Sequence, residues 1–118
     1  MQRYSVAVTH SSLPPHLLGA VAERFRVLGD ATRLAILQLL LEHGELKVGQ
    51  ISSLLSSSQA NVSKHLRTLN TAGLVNRRPD GTAAYYGVAD PTIILLCDIV
   101  CDRVRVQVAE KARVFATA

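Results

Sequence analysis

Apolar residues recur along this chain at helical spacing in five stretches, and glycine, proline or a short polar run separates each from the next. Leu17, Leu18, Val21, Phe25 and Leu28 predict a first helix from His16 to Leu28, entered through Pro14 and Pro15 and ended by Gly29. Asp30 is placed to cap a second, ATRLAILQLLLEH, with Leu34, Leu37, Leu40 and Leu41 as its expected core stripe and Gly44 as its stop. A third fits Val48 to Leu55, with Ile51, Leu54 and Leu55 turned inward. The run Ser56-Ser57-Ser58 then turns into a fourth, where Val62, Leu66 and Leu69 make the buried stripe. Ser58 is its expected N-cap. Gly73 is its stop, because glycine takes the left-handed C′ conformation without steric cost.

The polar side of the fourth helix is the most informative. At about 100° per residue, the arc opposite its stripe carries Ala60, Asn61, Ser63, Lys64, Arg67, Thr68 and Thr71, with no acid among them. Such a face can approach a polyanion closely: short amides and hydroxyls reach base edges while cations meet phosphates. Two helices joined by a short turn, the second with a face of this kind, form the helix-turn-helix pattern. Two short strands follow, near Leu74–Arg78 and Ala83–Val88, around the turn Pro79-Asp80-Gly81-Thr82. This basic hairpin reads as a wing whose Arg77 and Arg78 press on the sugar-phosphate backbone or the minor groove. The expected DNA contacts are Ser58, Gln59, Asn61, Ser63, Lys64, His65, Arg67 and Thr68 on the helix, with Arg77, Arg78 and Thr82 on the wing.

A fifth helix opens with Asp90 as N-cap and Pro91 in the first helical position. Ile93, Cys97, Val100, Val104 and Val108 form one apolar stripe, and Leu95, Ile99 and Val106 form a second. One stripe docks a helix on its own domain. A second implies another apolar neighbour, and the same helix of a second copy is the simplest. The first helix is expected to share that interface. The fold expected is α+β and mostly helical, a winged helix-turn-helix of about five helices with a two-stranded β-hairpin wing, homodimeric through its first and last helices. Residues 1–12 are expected to be a flexible arm, and 13–118 a single DNA-binding and dimerisation domain.

Composition narrows this reading without redirecting it. With 118 residues, 48% of them hydrophobic, the chain suits one domain with a modest core and not a disordered tail. Its formal charge of +4 suits an anionic partner. Charge interrupts the apolar runs before they reach bilayer length, and MQRYSVAVTHSSLPP lacks the apolar core of a signal peptide. Two cysteines with no framework of others fit a reducing cytoplasm. The expected partners are double-stranded operator DNA and a second copy, with no membrane.

In LGDATRLAILQLL (28–40), GELKVGQIS (44–52), SSQANVSKHLRTLNTAGLV (57–75) and RRPDGTAAYYGV (77–88), the chain resembles the ArsR/SmtB family of bacterial winged-helix repressors. The resemblance implies a homodimer that occupies an operator, represses transcription and is released by an inducer. That inducer is often a metal or metalloid ion, sometimes an oxidant or a sulfur species. Many metal-sensing members carry a cysteine within the motif matching Glu45-Leu46-Lys47-Val48-Gly49, where this chain has Lys47, a cation that would repel a metal. A second family site starts at an aspartate on the last helix. Asp90 matches it, but the following ligand positions fall on Thr92, Arg103 and Val106, which cannot hold zinc in its usual shell. Asp90 is better read as a cap, no metal is expected at either place, and no cofactor is required.

Cys97 and Cys101 remain, four apart on the last helix, and two readings of them are open. They are small buried hydrophobes in the stripe, or they are a thiol sensor in the dimer seam. Side chains at this spacing have Cβ atoms about 5–6 Å apart, whereas a disulfide needs about 3.5–4.5 Å. A shared thiophilic metal or metalloid ion such as arsenite, or pairing with their copies across a two-fold axis, fits better than an intrahelical disulfide. His10 and His16 are the candidates for a third ligand. Catalysis is not expected: Cys-x-x-x-Cys is not the redox spacing, and no histidine neighbours either thiol in sequence. The competing reading is a winged helix used only for protein contacts, or a regulator without an inducer, in which the cysteines are structural.

Overall fold

A computed structural model describes residues 12–117. Among them the order is α1 (Pro15–Leu28), α2 (Ala31–His43), β1 (Glu45–Lys47), α3 (Val48–Leu55), α4 (Gln59–Thr71), β2 (Val75–Asp80), β3 (Ala83–Val88) and α5 (Thr92–Thr117). The described residues divide into two compact units, 12–90 with α1 to α4 and the strands, and 91–117 with α5. Nearly all of the arm expected over 1–12, with His10, lies outside the described residues.

In the larger unit the core is built from Ile36, Leu37 and Leu40 of α2, Ile51 of α3, Val62, Leu66 and Leu69 of α4, and Leu74 and Val75 beyond it, all essentially buried. Local chemistry sets the helix ends. The Asp30 carboxylate accepts from the Arg33 backbone N–H at 3.0 Å and caps α2. The same bond holds its carboxyl below the usual aspartate range. Gly44, at φ 85°, ends that helix in a conformation closed to most side chains. Gly73, at φ 76°, ends α4: its N–H reaches the Asn70 carbonyl at 3.0 Å, and the Leu74 N–H reaches Leu69 at 2.9 Å. This is a Schellman closure, which turns the chain into β2.

Three details depart from the expected pattern. In α2 the buried stripe is Ile36, Leu37 and Leu40, while Leu34 and Leu41 are partly exposed. At about 100° per residue those two lie roughly 100° from the centre of the buried arc. Leu54 of α3 also stands in solvent. The hairpin, finally, is part of a three-stranded antiparallel sheet of order β1-β3-β2. Glu45, Leu46 and Lys47 pair with Gly87, Tyr86 and Tyr85, and Leu46 is the buried one of the three. A strand of three residues is too short to show an alternating pattern, and its pairing partner lies some forty positions away in sequence. β2 is thus an edge strand, which is where Pro79 is tolerated within a ladder. Asp80 pairs with Ala83, so the loop is only Gly81-Thr82, with Gly81 at φ 63°.

Candidate nucleic-acid interface

The turn that launches α4 is held by serines. Ser57 donates its N–H to the Ser52 carbonyl at 3.1 Å, and its own carbonyl accepts from Ser52 Oγ. Ser58 Oγ accepts from the Asn61 backbone N–H at 3.1 Å, which is the N-cap bond expected of it. Ser57 Oγ accepts from Asn61 Nδ2 at 3.0 Å. One asparagine is therefore held by two consecutive serines, one through its backbone and one through its side chain.

With Val62, Leu66 and Leu69 buried, the rest of α4 falls on either side of that stripe. Gln59, Ala60, Lys64 and Arg67 are exposed, and Asn61, Ser63 and Thr68 are half-buried. Thr68 Oγ1 donates back to the Lys64 carbonyl at 3.3 Å, so its proton is used within the helix. His65 departs from the expected contact set. It is 8% exposed, and its Nδ1 lies 3.3 Å from Arg33 Nη1. A guanidinium can only donate, so in this contact Nδ1 is the acceptor. Arg33 also donates from Nε to the Val27 carbonyl at 2.6 Å. His65 joins α4 to the α1–α2 junction and is withdrawn from the exposed polar face of α4.

The wing separates two arginines that are adjacent in sequence. Successive strand residues point to opposite faces. Arg78 lies opposite Tyr85, which lies opposite Lys47, so the three form one row across the sheet. The Arg78 guanidinium and Lys47 Nζ stand 4.7 and 4.9 Å from the Tyr85 ring centre. Glu45 accepts from Arg78 at 3.1 Å twice, and Lys47 pairs with Asp80 at 3.5 Å. The Glu45 bond raises the Arg78 guanidinium pKa above its ordinary value. Gly87 makes room for this: a Cβ there would stand 3.2 Å from the Gly44 carbonyl and 3.5 Å from Glu45 Cγ. Arg77 lies opposite Tyr86 on the other face and, like Lys64 and Arg67, forms no ion pair among the described residues. Thr82 is exposed at the hairpin tip. Composition alone does not single out the Lys47–Tyr85–Arg78 row, because it exists only once β1 has paired.

The two places where the family resemblance would put a metal hold ion-paired side chains. Lys47 is engaged with Asp80 and Tyr85, and Asp90 accepts from Arg24 Nη1 at 3.0 Å. No three of His, Cys, Asp or Glu cluster among the described residues. Cys97 and Cys101 are free and half-buried. Burial raises the Cys97 pKa, with the neighbouring Cys101 and Asp98 adding to the shift, so it is a thiol at neutral pH. No helix of the described residues is long and apolar enough to cross a membrane.

The family model for the bacterial regulatory proteins of the arsR family matches residues 30–77, from the α2 cap to the first wing arginine. An uncharacterized HTH-type transcriptional regulator of Methanocaldococcus jannaschii is 42% identical over 72 residues, 61% of this chain and 81% of that protein. The arsenical resistance operon repressor of Escherichia coli is 42% identical over 62 residues, covering 52% of this chain and 53% of the repressor. Among solved structures, the homodimeric winged helix-turn-helix DNA-binding domain Mb0332 of Mycobacterium bovis superposes with a TM-score of 0.69 at 31% identity, covering 81% of this chain and 91% of that one.

Proposed function

This chain belongs to the arsR family of bacterial regulatory proteins and is a DNA-binding transcriptional regulator, and from that premise we propose that it is a cytoplasmic homodimeric repressor that reads its operator through α4. The observation that carries the reading is the outer face of α4, free of acids and projecting Gln59, Asn61, Ser63, Lys64 and Arg67 around a fully buried stripe. Gln59, Asn61 and Ser63 reach base edges, and Lys64, Arg67 and Arg77 meet phosphates. Arg78 serves the wing itself, because Glu45 already holds its fork. No catalytic step is assigned to the chain.

The dimer follows from surface left over. Leu17, Leu18, Val21 and Phe25 of α1 are exposed, as are Leu95, Ile99, Val100 and Val104 of α5. Apolar area of this kind is buried symmetrically in most small dimers, and the homodimeric Mycobacterium bovis relative supports that assembly. Two copies then present two α4 helices to a two-fold site.

The inducer in this reading is a thiophilic ion taken by Cys97 and Cys101. Oxidation needs a thiolate, which the burial of Cys97 disfavours, whereas a soft ion displaces the protons as it binds. The likeness to an arsenical resistance operon repressor supports a metalloid. The experiment is fluorescence anisotropy on operator DNA at stepped salt. Affinity should fall by about 0.9 log units per log of salt for each phosphate met, and Lys64→Ala should lower that slope by about 1. Affinity indifferent to salt would support the protein-contact reading. Arsenite should then release the bound protein but not the Cys97→Ser, Cys101→Ser variant; equal behaviour of the two would leave both thiols structural.

A further inference from the structure

Asn61 occupies the first turn of α4, half-buried on the acid-free face, and its side chain is not free to choose its orientation. Its Nδ2 donates to Ser57 Oγ at 3.0 Å. Ser57 is anchored independently, through its backbone N–H and carbonyl, to Ser52. The backbone that carries its hydroxyl is thus held without help from Asn61. A carboxamide offers one carbonyl and two N–H donors. With one donor taken by Ser57, Asn61 keeps Oδ1 and its second N–H as a fork. That fork matches the N6–H donor and N7 acceptor that adenine shows in the major groove. An asparagine without such a tether has to be ordered at the moment of binding, and that ordering costs affinity for the correct base.

We propose that Ser57 is a positioning residue for sequence recognition: it orients the Asn61 carboxamide so that α4 meets an adenine with its fork already set. This rests on the reading that α4 enters the major groove. Ser57 touches no base. It acts through Asn61.

The test is a double-mutant cycle of Ser57→Ala, Asn61→Ala and both, against a panel of operators in which each base pair is changed in turn. Removing the Ser57 hydroxyl leaves its backbone bonds to Ser52 in place, and binding to a non-specific duplex checks that each variant is folded. Asn61→Ala should erase the preference at one position, an adenine. At that position Ser57→Ala should reduce the preference about 2- to 10-fold, with non-specific affinity and salt slope unchanged. In the Asn61→Ala background the same substitution should change nothing further. Equal losses in both backgrounds would make Ser57 a turn residue only, and no loss in either would show that Asn61 orients itself; each overturns the proposal. A position read by Asn61 that is not adenine overturns the fork assignment. If Asn61→Ala and Lys64→Ala alter no binding at all, it is the groove reading of α4 that fails.

Discussion

In α4 the apolar stripe of Val62, Leu66 and Leu69 is fully buried, whereas in α5 Leu95, Ile99, Val100, Val104, Val106 and Val108 stand exposed. Both helices carry apolar residues at helical spacing, so periodicity alone treats them alike. They differ in what the chain supplies around them. α4 packs against α3, β2 and α2 within one compact unit and has only its polar face left to offer. α5 forms a separate unit and retains apolar area on more than one side. Folding completes α4 and leaves α5 with apolar area to cover, and the proposed division between recognition and pairing rests on that contrast.

Substitutions can break that contrast from either side. Leu66→Ala should destabilise the protein by about 2–5 kcal/mol, since its side chain is wholly enclosed; chemical denaturation reads this, and an effect below 1 kcal/mol would mean that α4 is loosely packed. Val104→Asp should leave the unfolding midpoint of the larger unit nearly unchanged while converting dimer to monomer in sedimentation. Operator affinity should then fall about 100-fold, because two linked half-site contacts become one. On the wing, Arg77→Ala should lower the salt slope of DNA binding by about 1, and Arg78→Ala should lower it by less while loosening the hairpin. Equal slopes for the two would show that the Glu45 clamp opens on DNA.

The smallest effect concerns the α2 cap. Asp30→Ala should cost about 1 kcal/mol. The Asp30 pKa is lowered on folding, so its contribution is present above the unfolded aspartate pKa of about 3.9 and is lost as pH falls through the lower folded value. The wild-type advantage over the alanine variant should therefore hold at neutral pH and shrink below about pH 4. An advantage that persists in acid would place the cap energy elsewhere.

What could be read from the sequence was what local chemistry decides. The ends of α2 and α4 follow from Asp30, Gly44, Ser58 and Gly73, and the structure places all four where capping rules put them. What could not be read depends on partners distant in sequence. His65 sits at the margin of the buried stripe, and Arg33, 32 residues earlier, holds it on the inside. Arg77 and Arg78 look equivalent until β1 pairs with β3 and brings Glu45 and Lys47 to one of them. Ser57 is one of three consecutive serines, and its role emerges only through its bond to Asn61.

The measurement that bears most directly on the division between α4 and α5 is selection of binding sites from a random pool of duplexes. A dimer that reads DNA with α4 should enrich an inverted repeat whose half-sites lie about 10–10.5 base pairs apart, centre to centre. The Asn61→Ala variant should enrich the same spacing with one position relaxed in each half. A single unrepeated site, or no enriched sequence at salt concentrations where the protein is dimeric, would contradict it.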